Sequence, residues 1–100
     1  GQTYRRRRAV MQEAIERRGL DVAGSDVSGG SSFWMKTPDH IDARDLAKAA
    51  RQRGVLLEPG HFFFENPEDG AHYYRIAYSS IESAKISDGI DIIADTIAEF

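Results

Sequence analysis

The stretch HYYRIAYSSI, residues 72–81, sets an arginine inside a run of aromatic and β-branched residues. Tyr73, Tyr74, Ile76 and Tyr78 favour a pleated, half-buried surface, and a guanidinium at its centre is costly to desolvate unless paired. With period-two alternation, Tyr73, Arg75, Ala77 and Ser79 share one face, and Tyr74, Ile76 and Tyr78 share the other. The second face is the apolar one and is expected to meet the helices. Arg75 then projects from the opposite face, beside one aromatic and two small neighbours. There it either stands in water or receives a planar anion. A bidentate carboxylate would supply charge-assisted hydrogen bonds of roughly 1.5–3 kcal/mol each. Spacing alone leaves both readings open.

The other chemistry-bearing residues carry less. Four consecutive arginines in YRRRR (4–8) spread over some 300° around a helix, so they cannot all address one groove. Glu13, Glu16, Asp21 and an acidic C-terminal helix offset them, and the net charge is −3. No aromatic residues interleave them for base stacking. His40, His61 and His72 lie far apart and show no paired helical spacing of the metalloprotease kind, so surface or turn positions are expected. No nucleophile elbow marks any serine. SGGSS (28–32) lacks a phosphate-loop lysine and precedes a strand, so its glycines are read as a tight strand entry. The chain has no cysteine, which excludes disulfides, thiol catalysis and Cys-based zinc sites.

One hundred residues, 41% hydrophobic and 29% charged, describe one ordinary globular domain. No apolar run approaches the ~18 residues that span a bilayer, and no signal peptide opens the chain, so a cytoplasmic location is the expectation. The first residue is glycine rather than methionine, which suggests one piece of a longer protein.

The elements follow from periodicity. Residues 3–18 read as a helix with an apolar stripe of Tyr4, Met11 and Ile15, flanked by Val10 and Ala14, and Gly19 ends it. Residues 20–30 read as a loop or short irregular strand, and SSFWMK (31–36) as a strand closed by Pro38. Asp42 is a good N-cap, with Asp45 in the first turn and Ile41 and Leu46 placed as a hydrophobic staple. That helix stops at Gly54. VLLE (55–58) reads as a short buried strand, PG (59–60) as a turn, HFFFE (61–65) as a brief apolar run and NPEDG (66–70) as turn chemistry. After the strand at 72–79, a last helix runs from Ser83 to Ala98, with Ile86, Ile90, Ile93 and Ile97 spaced four, three and four apart. Each buried isoleucine contributes roughly 1.5–3 kcal/mol before entropy is subtracted. The expected fold is a small two-layer α+β domain, three to four short strands covered by about three helices.

Three ordered segments then take on a familiar form. GGSSFWMKTP (29–38), RGVLLEPGHFFF (53–64) and YYRIAYSS (73–80) together resemble the C-terminal small domain of fold-type I pyridoxal-phosphate enzymes. The resemblance covers essentially the whole chain. YRRRRAVM is similar to the start of the helix that leads from the large domain into the small one. This makes residues 1–19 a linking helix and 29–100 the core of one domain. The wording of GVLLEPGHFFF and YYRIAYSSI is nearest to MocR-type members of the GntR regulators, in which an aminotransferase-like domain follows a DNA-binding winged helix.

That resemblance implies roles. Arg75 would bind the carboxylate of an amino-acid-like effector or substrate. Glu58, Pro59, Gly60 and His61 would form the turn near the cofactor mouth. Ser32, Pro59, Gly60, His61 and Tyr73 are the expected pocket-lining residues. Gly29, Gly30, Ser31 and Ser32 stand where members often carry GGMF, so serine replaces the aromatic that would line the pocket, which bears on side-chain specificity. The Schiff-base lysine and most ligands of pyridoxal 5'-phosphate lie in the large domain of such proteins. Electron-sink chemistry needs an imine-forming lysine against the ring. No catalytic residue, cofactor ligand or metal ligand is therefore expected here, and no cofactor on the isolated fragment. The implied partners are the protein's own large domain, a second copy in a homodimer, and DNA only through a separate N-terminal domain. A genuine class I/II aminotransferase remains the alternative parent.

Overall fold

The computed structural model describes residues 2–25, 32–77 and 83–100. Three helices, α1 (Gln2–Arg18), α2 (Ala43–Gln52) and α3 (Ser83–Ala98), pack on an antiparallel sheet of β1 (Val22–Ser25), β2 (Ser32–Lys36), β3 (Glu58–Pro59) and β4 (Tyr73–Ala77). The strand order is β1-β2-β4-β3. One α+β core forms between the layers. Met11 and Ile15 of α1, Leu46 and Ala50 of α2, and Ile86, Ile90 and Ile93 of α3 meet Phe33, Met35, Tyr74 and Ile76 of the sheet.

Each helix follows its sequence signals. Asp42 caps α2, its side chain accepting from the Arg44 backbone N–H at 2.8 Å. Ile41 and Leu46 are both buried, as a staple requires. Gly54 takes the positive φ of 88° that ends the element, a conformation that suits glycine. On α3, Ile86, Ile90 and Ile93 are buried and Ile97 is partly buried. No helix among the described residues is long and apolar enough to cross a membrane.

Two segments differ from the sequence expectation. VLLE does not form a buried strand: only Glu58 and Pro59 pair with β4, and Leu56 is 74% exposed. The reason lies upstream, where the Val55 N–H bonds back to Ala50 O at 3.0 Å and keeps residues 53–55 folded onto the end of α2. HFFF is likewise drawn into a 3-10 turn, Gly60–Phe63. The NPEDG segment forms a second one, Pro67–Gly70, with the Asn66 side chain accepting from the Glu68 N–H. These two turns touch backbone to backbone. A Cβ on Gly60 would meet the Gly70 carbonyl and lie 2.7 Å from that of Tyr73, and one on Gly70 would meet the Gly60 carbonyl. Glycine at both places lets the turns close and fixes β3 against β4. Tyr78 and Ser79, and Gly29, Gly30 and Ser31 of the glycine motif, lie outside the described residues.

Candidate functional site

Register creates the site. Arg75 on β4 is paired with Trp34 of β2 on one side and with Glu58 of β3 on the other. Because side chains alternate across a sheet, these three form a row on the face away from the helices. Their neighbours Phe33, Met35, Tyr74 and Pro59 fall on the covered face and are buried. The alternation of Tyr74 and Ile76 thus places Arg75 as expected from the sequence.

Arg75 meets an anion, and it belongs to the chain itself. Its Nε donates to Glu58 Oε1 at 3.1 Å, and its Nη2 donates to Oε1 at 2.7 Å and Oε2 at 2.9 Å. The guanidinium also lies 4.8 Å from the centre of the Phe63 ring, within cation–π range. The pair is half-open, with 40% of the Arg75 side chain and 45% of Glu58 exposed. Water therefore screens it, and its net contribution to stability is on the order of 1 kcal/mol or less.

An aromatic wall adjoins the pair. Trp34 and Tyr73 stack with centroids 5.7 Å apart and planes 4° from parallel. Phe63 meets Trp34 edge-on at 5.5 Å, and Phe64 lies 6.1 Å from Trp34 and 6.0 Å from Tyr73. On the sheet's open edge, a cavity of about 520 Å³ runs from Glu58 and Arg75 past Leu56 and Leu57 to Ile86 and Ile90. A flat, mostly apolar surface with one cationic fork can hold a planar anion by its head and an apolar body by its faces.

The residues expected to line the pocket do not all come together. Tyr73 stands in the wall, and Ser32 is half-buried on the face that carries Trp34. Pro59 pairs with Tyr74 and is buried, and Gly60 is buried against Gly70. His61 is not a surface residue: it is 5% exposed, and its Nε2–H donates to Asp42 Oδ2 at 3.3 Å, at the start of α2. The ring thereby ties the EPGH turn to the helix N-terminus. Burial pushes the Asp42 pKa up, but the Arg44 N–H and the His61 and Arg44 charges outweigh it and hold the carboxyl below its ordinary value. Asp42, His61 and Glu68 bring ligand atoms within 4.8 Å of one another, yet Arg44 already pairs with Glu68 at 3.1 Å and approaches Asp42 at 3.8 Å. The guanidinium fills the cationic role there.

The sequence places Glu58 in the turn near the cofactor mouth but not against Arg75, and it does not point to Trp34, Phe63 or Phe64. Strand register brings Glu58 and Trp34 to Arg75, and the 3-10 turn that follows β3 brings Phe63 over its guanidinium. The arginines of YRRRR distribute around α1, with Arg5 and Arg6 exposed and Arg8 stacked over Phe33 at 5.2 Å. Lys36, Lys48 and Lys85 are exposed and sit on β2, α2 and α3. None is enclosed beside an aromatic plate, so the described residues do not by themselves fit an imine-forming cofactor.

The chain is similar in sequence and in fold to known proteins. No family model matches the chain. Over 91 residues, 91% of the chain, it is 52% identical to the HTH-type transcriptional regulator TauR of Rhodobacter capsulatus and covers 19% of that protein. Over 97 residues it is 32% identical to aromatic-amino-acid aminotransferase 1 of Thermococcus litoralis, covering 96% of the chain and 23% of the relative. Among solved structures, a kynurenine aminotransferase from Pyrococcus horikoshii superposes with a TM-score of 0.83 at 31% identity, over 98% of the chain and 24% of that protein. The chain thus spans about a fifth of the curated relatives it matches. It has the fold of one segment of an aminotransferase-like protein, as its three ordered motifs imply.

Proposed function

We propose that this chain, a segment of aminotransferase-like fold, is the small-domain half of an effector cleft in a pyridoxal-phosphate-binding regulator of MocR type. Arg75 receives the carboxylate of an amino-acid-like effector, and the wall of Trp34, Tyr73 and Phe63 borders the effector's body. The cofactor and its lysine are supplied elsewhere in the intact protein, and α1 serves as the helix that joins the two halves. Closure of the cleft over the effector would favour one arrangement of the attached DNA-binding domains over another.

One observation carries the reading: Arg75, on the open sheet face, already holds a carboxylate in fork geometry, with distances of 2.7–3.1 Å. The 52% identity to an HTH-type regulator favours a regulatory parent over an enzymatic one. The test is Arg75→Ala in the intact protein, titrated with a panel of amino acids by calorimetry. Effector affinity is expected to fall at least tenfold, on the order of the ~1.5–3 kcal/mol of one charge-assisted contact. The absorbance of bound cofactor should not change. Unchanged effector affinity would sink the reading.

A further inference from the structure

We infer that Glu58 is a specificity-determining residue of the Arg75 site, a tethered carboxylate that holds the ligand's place and is displaced when the ligand binds. The inference rests on the reading of Arg75 as a carboxylate receptor. Both Glu58 oxygens are engaged, and they take the Nε and Nη2 donors that form one fork of the guanidinium. The pair closes between neighbouring strands, 17 residues apart in the chain. Among the described residues, the Glu58 carboxylate has no other hydrogen-bond partner.

Its departure costs the fold little. The β3 backbone is fixed by its pairing with β4 and by the contact of Gly60 with Gly70, neither of which uses the Glu58 side chain. That side chain is nearly half exposed and lies at the sheet's open edge. It can turn into water while the strand stays.

The exchange sets what the site accepts. Replacing one carboxylate by another on the same guanidinium gains almost nothing, so a bare carboxylate is rejected. A ligand displaces Glu58 only when its body makes further contacts, and the adjacent surface offers the rings of Trp34, Tyr73 and Phe63. The class selected is therefore a carboxylate with a planar or apolar body. A second anionic group would meet the displaced Glu58 nearby.

Benzoate and acetate are suitable probes, titrated into the intact protein by ligand-observed NMR. Glu58→Gln, which keeps the shape and removes the charge, is expected to bind benzoate about twofold to fivefold tighter than the parent, the range for a screened ion pair. Acetate should become a measurable ligand in that variant, and Glu58→Ala should move both affinities the same way. Equal, weaker or undetectable benzoate binding in Glu58→Gln overturns the tethered carboxylate, and if Arg75→Ala still abolishes binding, the receptor role of Arg75 stands. Benzoate binding retained in Arg75→Ala overturns the receptor role itself, and the inference with it.

Discussion

The Tyr74 hydroxyl is fully buried and has no hydrogen-bond partner among the described residues. Burial, with the charge of Asp21 adding to it, pushes its pKa well above the usual value. An unpaired buried donor costs about 1–3 kcal/mol, whereas the ring itself fills the core. Tyr74→Phe is therefore expected to be neutral or to stabilise by up to about 1 kcal/mol, measured by urea unfolding. A loss of stability would show that the hydroxyl has a partner after all. The same strand shows how far residue-level reading reaches. The alternation of Tyr74 and Ile76 with Arg75 is enough to place the arginine on the open face. Its partner is not legible, because Glu58 and Trp34 meet Arg75 through register, and local pattern carries no register between distant strands.

Elements are legible where their signal is local. The four isoleucines of α3 and the Asp42 cap of α2 depend on spacing within one turn or a few, and both appear as expected. β3 is not legible, since two residues carry no alternation and the strand exists only because β4 lies beside it. The glycines make the same distinction measurable. Gly70 sits where a Cβ would strike the Gly60 backbone, so neither turn can yield without moving β3. Gly70→Ala is expected to cost roughly 2–4 kcal/mol, as overpacking against backbone does. Gly89 lies in α3, and a Cβ at that position would have nothing within 4 Å of it. Gly89→Ala should instead stabilise by about 0.5–1 kcal/mol through helix propensity alone. Thermal melts of the two variants should therefore move in opposite directions.

Across the whole molecule, charge ties the C-terminal end to the first helix and to the end of α2. Arg17 donates to Asp91 and Ser87, Arg18 donates to Asp91 at 2.9 Å and Asp95 at 2.6 Å, and Arg53 reaches Glu99 at 2.6 Å. Hydrogen bonds from Arg18 and Arg17 hold the Asp91 carboxyl below its ordinary value, and Arg53 does the same for Glu99. The folded pKa values are thus depressed relative to the unfolded chain. Stability from these groups is fully present above the ordinary carboxylate range of about 4 and is lost as pH falls through the lower folded values. Asp42 at the α2 cap acts in the same direction. The urea midpoint is expected to be flat between about pH 7 and pH 5 and to fall below about pH 4. All the groups involved are exposed or partly so, and about 1 M salt should flatten the fall by screening. In the double variant Asp91→Asn, Glu99→Gln the midpoint should start lower at neutral pH and drop less on acidification, so that its curve converges with the parent's near pH 2–3. Curves that stay parallel would show that these pairs stand on the surface without holding α1 and the end of α2 to the C-terminal segment. In that case the apolar contact of Met11 and Ile15 with the α3 isoleucines would account for the joint alone.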